Sequence, residues 1–371
     1  MEKVIVVGAG ILGAATAYHL ASFGADVVIV DREEQGRATD VAAGLICPWI
    51  TQRRNKAWYF LAKNGAAYYP ELIQQLEDLG QTETGYSIVG ALSIHFDEEK
   101  LEKTYNRALQ RQESAPEMGE VRLLKDEEAR RLFPPLKEGL AAVYVGGAAR
   151  VNGKALRQAL IQAAMAHGAH FVKGDAQLIC KNQTVTGVAT EHGEFHADHV
   201  IVTAGAWADQ LLKPLGISLR LSVQKGQIVH LRMENPQTGH WPVVIPPHDQ
   251  DILPFDHGKV IVGATHEDEA GFDYRVTAAG VNDVLTKALN FAPGLADATV
   301  ENIHVGFRPY TPESLPVIGT IPGYEGLYYA NGLGSSGLTV GPYLGRELAK
   351  FALGLELTID LKDYDIRKAI E

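Results

Sequence analysis

The chain has 371 residues, of which 46% are hydrophobic and 21% charged, and a formal net charge of −11. That length buries a sizeable core and suits about two domains, while the negative balance argues against a nucleic-acid surface and against broad attraction to anionic membranes. Its two cysteines, Cys47 and Cys180, lie far apart and outside any C-x-x-C spacing, which argues against a disulfide framework, a zinc site or a self-contained iron–sulfur cluster.

Val4-Ile5-Val6-Val7 is a wholly apolar, mainly β-branched run that suits a strand buried on both faces. It leads into Gly8-Ala9-Gly10-Ile11-Leu12-Gly13, a G-x-G-x-x-G turn, and then a predicted helix over 14–23 stopped by Gly24. A second apolar strand, 27–30, ends at Asp31-Arg32. In such a unit Gly8 allows the tight turn, Gly10 lets a pyrophosphate approach the backbone, and Gly13 lets helix and strand pack closely. The helix start favours the diphosphate charge, and Asp31 can accept hydrogen bonds from a ribose. The unit therefore predicts dinucleotide binding, with NAD and FAD both open. The first strand begins at residue 3, and the apolar stretches are broken by Gly and by Tyr18-His19. Neither a signal peptide nor a membrane span is expected, and a cytoplasmic protein is.

Thr39-Asp40-Val41-Ala42-Ala43-Gly44-Leu45 is rich in small residues. Small side chains suit a backbone lying along a cofactor, although taken alone a flexible loop explains the run better. Arg53-Arg54 with Lys56 is a small basic cluster, read as a solvated helix start. Helices are predicted over 58–79, 97–111, 126–132, 153–167 and 278–291, and strands over 87–96, 170–172, 199–202, 220–232 and 259–265, with a hairpin around His192-Gly193. Thr203-Ala204-Gly205-Ala206-Trp207 ends a buried strand, where a cofactor contact and a plain strand-to-helix corner are equally good readings. Strand 327–330 leads to Gly332-Leu333-Gly334-Ser335-Ser336-Gly337-Leu338 and a last helix over 339–353, a second glycine-rich turn at a helix start. The expected fold is α/β: a Rossmann-like nucleotide-binding domain from 1–85, 140–219 and 305–371, and an α+β substrate domain with a mainly antiparallel sheet from 86–139 and 220–304.

At this point the residues resemble the glycine oxidase and D-amino-acid oxidase family of FAD-dependent amine oxidoreductases, relatives of the sarcosine oxidases. The first turn continues as Gly13-x-x-x-Ala17-x-x-Leu20-x-x-x-Gly24, the family's spacing. Thr39 to Leu45 resembles its FAD-wrapping loop, and Val262-Gly263-Ala264-Thr265 its substrate-domain strand. Gly306-Phe307-Arg308-Pro309 followed by Leu315-Pro316-Val317-Ile318-Gly319 is similar to the family's G-L-R-P…P-x-I-G. The resemblance implies FAD bound by both glycine turns, by 39–45, by Gln177, by Ala204, Gly205 and Trp207, and by Gly306. It implies a substrate amine over the flavin, hydride transfer from Cα, and an imine hydrolysed to a keto acid. Arg308 matches the family's carboxylate-binding arginine, a role suited to a planar, paired donor.

Three departures bear on the substrate. Asp251 falls where glycine oxidase has a substrate-contacting tyrosine, and Ser335 where it has a second arginine. An acid plus a small hydroxyl suggests a pocket for a cationic or polar group, with a solvated loop carboxylate as the alternative for Asp251. Asp40 replaces a hydroxyl residue near the diphosphate, where its charge is unfavourable unless it points away or is paired. The cysteine that tethers flavin in sarcosine oxidases falls at Arg308, so non-covalent FAD is expected. The oxygen-activating lysine falls at Ile261, which leaves open a flavin subunit passing electrons to a quinone or a partner. A homo-oligomer and an NAD-dependent dehydrogenase on the same opening are the remaining alternatives.

Overall fold

The computed structural model describes residues 2–234 and 237–371. Its six-stranded sheet runs in the order Val317–Thr320, Leu327–Asn331, His199–Val202, Lys3–Val7, Asp26–Asp31 and His170–Lys173. Neighbours are parallel except at the edge strand Val317–Thr320. A parallel sheet must be covered on both faces, and the alternation along the first strand shows what covers each. Val4 and Val6 pack with helices Ile11–Ser22, Gly153–Ala166 and Gly337–Ala352. Ile5 and Val7 pack with Val185 and Val188 of a separate three-stranded sheet, Gln177–Lys181, Thr184–Thr190 and Gly193–His196.

An eight-stranded sheet runs Thr299–Tyr310, Ser222–Arg232, Lys259–Gly263, Asp251–Pro254, Val243–Ile245, Ala91–His95, Ala141–Val145 and Val121–Leu124. Only Val243–Ile245 and Ala91–His95 pair in parallel. Helix Ala278–Phe291 lays Val284, Ala288 and Phe291 against Val229, Leu231, Val260 and Val262 of this sheet. The Thr277 hydroxyl caps that helix by accepting from the Gly280 N–H at 3.2 Å, which explains why its bounds were readable. The other face of the sheet looks towards the glycine turns. Among the described residues, no helix is long and apolar enough to cross a membrane.

The expected elements are present with these differences. The first helix begins at Ile11 rather than 14, because Gly10 is its N-cap and the end of the glycine turn is its first turn. The run 87–96 is two strands, Ser87–Ile88 and Ala91–His95, in different sheets, separated at Gly90 with φ +78°. The domain bounds expected at 140 and 305 cut through the eight-stranded sheet, which contains Ala141–Val145 and all of Thr299–Tyr310. Ala141–Val145 is flanked by partners on both edges, so its backbone is committed to that sheet.

Asp40 is paired and not aimed at the cofactor region. Its carboxylate accepts from Arg157 Nε at 2.9 Å and from Arg37 Nη1 at 3.1 Å, and Arg37 also donates to Asp31. The Arg157 side chain is 6% exposed, and Asp40 is its ion-pair partner. Removing one partner of a buried pair leaves an uncompensated charge, so Asp40→Ala is expected to cost about 3 kcal/mol. The double variant Asp40→Ala with Arg157→Met should recover most of that loss, measured as the midpoint of urea unfolding.

Candidate active site

A cavity of about 1360 Å³ lies between the glycine turns and the eight-stranded sheet. Its nucleotide end is built by backbone geometry. A Cβ on Gly13 would stand 1.8 Å from the Gly8 carbonyl oxygen, so only glycine lets this helix sit so close to the strand. At Gly10 the nearest atom to an added Cβ is Thr39 Oγ1, at 3.5 Å, and the residue faces the cavity. The helix has no side-chain cap at Gly10, and Thr39 Oγ1 accepts the Ile11 N–H at 2.9 Å. Gly10, Ile11 and Leu12 thus present a helix start to a space large enough for a dinucleotide.

Asp31 closes the second strand at the cavity wall. Its carboxylate accepts from the Ala9 N–H at 2.5 Å, from the Glu33 N–H at 2.6 Å and from Arg37. Three protein donors therefore fix the group expected to meet a ribose. Arg32 donates to Gln210 at 3.3 Å and Asp175 at 3.5 Å, and its guanidinium lies 5.8 Å from the Trp207 ring centre.

The remaining expected cofactor residues sort into those that border the cavity and those that support it. Gly8, Thr39, Ala42, Ala43, Gly44, Leu45, Gln177, Ala204, Gly205, Trp207, Gly306 and the run from Leu333 to Leu338 border it, as do Arg308 and Asp251. Gly13, Asp40 and Gly332 do not. Gly332 sits behind the wall, where an added Cβ would stand 1.9 Å from Thr311 Oγ1 and where its φ is +84°. Ser335 is exposed at the rim. Its neighbour Ser336 accepts from Trp58 Nε1 at 3.0 Å, joining the second glycine turn to the wall at Trp58.

Arg308 enters from strand Thr299–Tyr310. Its Nη1 donates to Gln224 Oε1 at 2.7 Å and to the Thr265 carbonyl at 3.0 Å. Both acceptors are neutral, and no described carboxylate lies within ion-pair distance. Burial pulls its pKa down, opposed by Tyr310, Asp249 and Asp268.

Asp251 opens strand Asp251–Pro254 and pairs through its backbone with Gly263. Its side chain borders the cavity and makes no hydrogen bond or ion pair within the described residues. Burial, followed by the charge of Asp249, pushes its carboxyl up to about 7. Cys47 lies close enough to feel Asp251, and burial raises its thiol strongly, which makes it an inert wall residue.

Sequence reasoning missed Asp249, His266 and Trp58, all of which border the cavity. Asp249 Oδ2 lies 3.1 Å from His266 Nδ1. Burial and then the Arg308 charge lower the pKa of His266, with Asp249 opposing. The one available signal was Pro246-Pro247, a turn that delivers His248 and Asp249 just before a strand.

Residues 3–351 match the family described as FAD dependent oxidoreductase, DAO. Uncharacterized oxidoreductase YurR of Bacillus subtilis is 57% identical over 366 residues, covering 98% of each chain. The crystal structure of iminodiacetate oxidase from Chelativorans sp. BNC1 superposes with a TM-score of 0.94 at 45% identity, covering 98% of both chains. Glycine oxidase of Pseudomonas aeruginosa is 33% identical over 373 residues, again covering 98% of each. With glycine packing, a helix start and a cavity that fit FAD, and a match that spans nearly its whole length, this chain belongs to the DAO family of FAD-dependent oxidoreductases.

Proposed function

We propose that the protein oxidises the C–N bond of a small amino acid or N-substituted amino acid, with non-covalent FAD in the cavity. Arg308 carries this reading: a cavity-facing guanidinium oriented by two neutral acceptors and lacking a carboxylate partner. Two parallel N–H donors recognise a carboxylate better than a lysine point charge would. The relatives named glycine oxidase and iminodiacetate oxidase are named for amines that carry carboxylates, which supports the same class. FAD, when bound, supplies the two-electron acceptor for the Cα hydride.

The chain's own residues position the substrate and handle one proton. Arg308 holds the carboxylate. Asp251 receives the amine: with a pKa near neutrality it accepts the ammonium proton that must leave before hydride transfer. His266, held by Asp249, keeps a neutral imidazole beside the guanidinium. Ser335 at the rim leaves room for an N-substituent. In this division the six-stranded half anchors the cofactor, and the eight-stranded sheet presents Arg308 and Asp251.

A second reading keeps the substrate and changes the electron acceptor. Ile261, at the position of the oxygen-activating lysine of the sarcosine oxidases, is 5% exposed among aliphatic neighbours. That leaves transfer to a quinone or a partner subunit open beside transfer to oxygen.

The purified protein should be yellow, and a carboxylated amine should bleach it under nitrogen. Glycine, iminodiacetate and D-, L- and N-methyl amino acids form the panel, and a flavin that none of them bleaches removes the proposal. Air that fails to restore the colour selects the second reading. Arg308→Ala should raise KM for carboxylated amines on the order of 100-fold, as expected for lost hydrogen bonds to a charged group; an unchanged KM contradicts its role.

Asp251 makes a separate prediction about pH. Its folded pKa is raised, so the native state holds the proton where the unfolded chain has lost it, and stability falls as pH rises from about 4 to about 7. Asp251→Asn removes that loss. Its melting temperature should match the parent near pH 4 and exceed it by a few degrees at pH 8, and its rate should lose the limb near pH 7. Equal melting curves at both pH values would contradict the raised, unpaired carboxyl.

A further inference from the structure

A groove of about 510 Å³ opens beside the cavity mouth, and the two share Thr51 and Gln52. Of the nine residues lining it, five are cationic (Arg53, Arg54, Lys56, Arg107 and Arg111) and none is acidic. This occurs on a chain with 45 acidic and 34 basic residues. None of the five forms an ion pair within the described residues. Arg53 donates to the Ser314 carbonyl, Arg107 to the Thr104 hydroxyl at 3.4 Å, and Arg111 to the carbonyls of Trp49 and Thr51 at 2.6 and 2.8 Å. Neutral acceptors orient a guanidinium without cancelling its charge. Arg107 Nε is buried with no acceptor at all. The planes of Arg53 and Arg111 are braced on Trp58 and Tyr59, each 4.5 Å from the ring centre.

The placement runs against the electrostatics of the local fold. Lys56 opens the 23-residue helix Lys56–Asp78, whose first turn carries no acid, although that end already bears partial positive charge. Helices Glu98–Gln112 and Asp126–Leu132 carry acids there, Glu98 and Glu99 in one and Asp126, Glu127 and Glu128 in the other, whereas Ile11–Ser22, Gly153–Ala166, Ala278–Phe291 and Gly337–Ala352 carry none. In helix Glu98–Gln112 the earlier lysines are neutralised, Lys100 by Asp97 and Lys103 by Glu99. The uncompensated charge collects at Arg107 and Arg111, against the start of the neighbouring helix.

We propose that this groove binds a small oxyanion of charge two or more, a phosphate or a polycarboxylate, at the entrance to the catalytic cavity. Paired planar donors and a flanking lysine suit either chemistry. A bound or passing polycarboxylate would be concentrated beside the path to Arg308 by the local positive potential; a phosphate would occupy the same entrance.

The test is calorimetric titration of the purified flavoprotein at low salt with inorganic phosphate and, separately, citrate, against chloride at matched ionic strength. Saturable binding of either anion is expected, and phosphate alone or citrate alone identifies which source the groove prefers. Arg54 and Lys56 are exposed and make no side-chain bond in the described protein, so Arg54→Gln with Lys56→Gln should fold with an unchanged flavin spectrum. That variant should bind the preferred anion at least 5-fold more weakly, the change expected from removing two charge-assisted contacts of roughly 0.5–1 kcal/mol each. Absence of saturable binding beyond the chloride control, or a variant that binds as tightly as its parent, overturns the proposal. The readout needs no turnover, so its failure is distinct from a failure of the amine-oxidation reading.

Discussion

The arrangement depends on one line of alternating charge, Asp31–Arg37–Asp40–Arg157. It joins the end of the second strand, the loop that follows it and helix Gly153–Ala166, with contacts of 3.1 Å for Arg37 to Asp40 and 2.9 Å for Arg157 to Asp40. The two arginines neutralise the two carboxylates and hold them in place. The same loop is tied to the other sheet, because the Phe307 N–H donates to the Gly36 carbonyl at 2.9 Å. Phe307 immediately precedes Arg308. The strand that carries Arg308 is therefore tied to the loop that the clamp holds.

Charged groups that lie wholly or partly inside this protein divide into those paired within the chain and those that are not. Arg157 is paired with Asp40, Lys225 with Asp273 at 3.1 Å, and Arg150 with Asp256 at 3.1 Å. Arg157 and Lys225 thereby offset their desolvation cost inside the chain, whereas Arg150 keeps Nε and Nη1 buried without a partner. Arg308 and Asp251 have no such partner, and both face the same cavity. On the proposed reading, a cation and an acid without protein counter-charges that share a cavity would complement a molecule carrying both signs, as an amino acid does.

Much of this was legible in the sequence where the signal is local. A parallel strand buried on both faces has to be continuously apolar, so Val4 to Val7 could be read directly. Gly8 and Gly13 answer to separate steric demands, Gly8 turning with φ +95° and Gly13 leaving only 1.8 Å between an added Cβ and the Gly8 carbonyl oxygen. Helices Asp126–Leu132 and Ala278–Phe291 kept their expected bounds, being marked by an acidic start and a threonine cap. The illegible parts are long-range. Asp40 and Arg157 are 117 positions apart, and nothing near either names the other. Ala141–Val145 looked like the return of the nucleotide half because a short apolar strand does not state its neighbours. His266 and Asp249 belong to different segments that meet only once Asp251–Pro254 and Lys259–Gly263 have paired.

The charge along the ligand's path follows from these placements. The chain as a whole is negative, so an anion approaching most of its surface is repelled. At the cavity mouth the sign reverses, because Arg53, Arg54, Lys56, Arg107 and Arg111 line one groove without an acid. Inside, Arg308 continues the positive path, while Asp249 and Asp251 place negative charge on the neighbouring wall. On the proposed reading, a substrate carboxylate following this gradient would reach Arg308, with its amine towards the strand that begins at Asp251. Arg308 and Asp251 both stand on the eight-stranded sheet, which is tied to the loop after the second strand of the nucleotide half by the hydrogen bond from the Phe307 N–H to the Gly36 carbonyl.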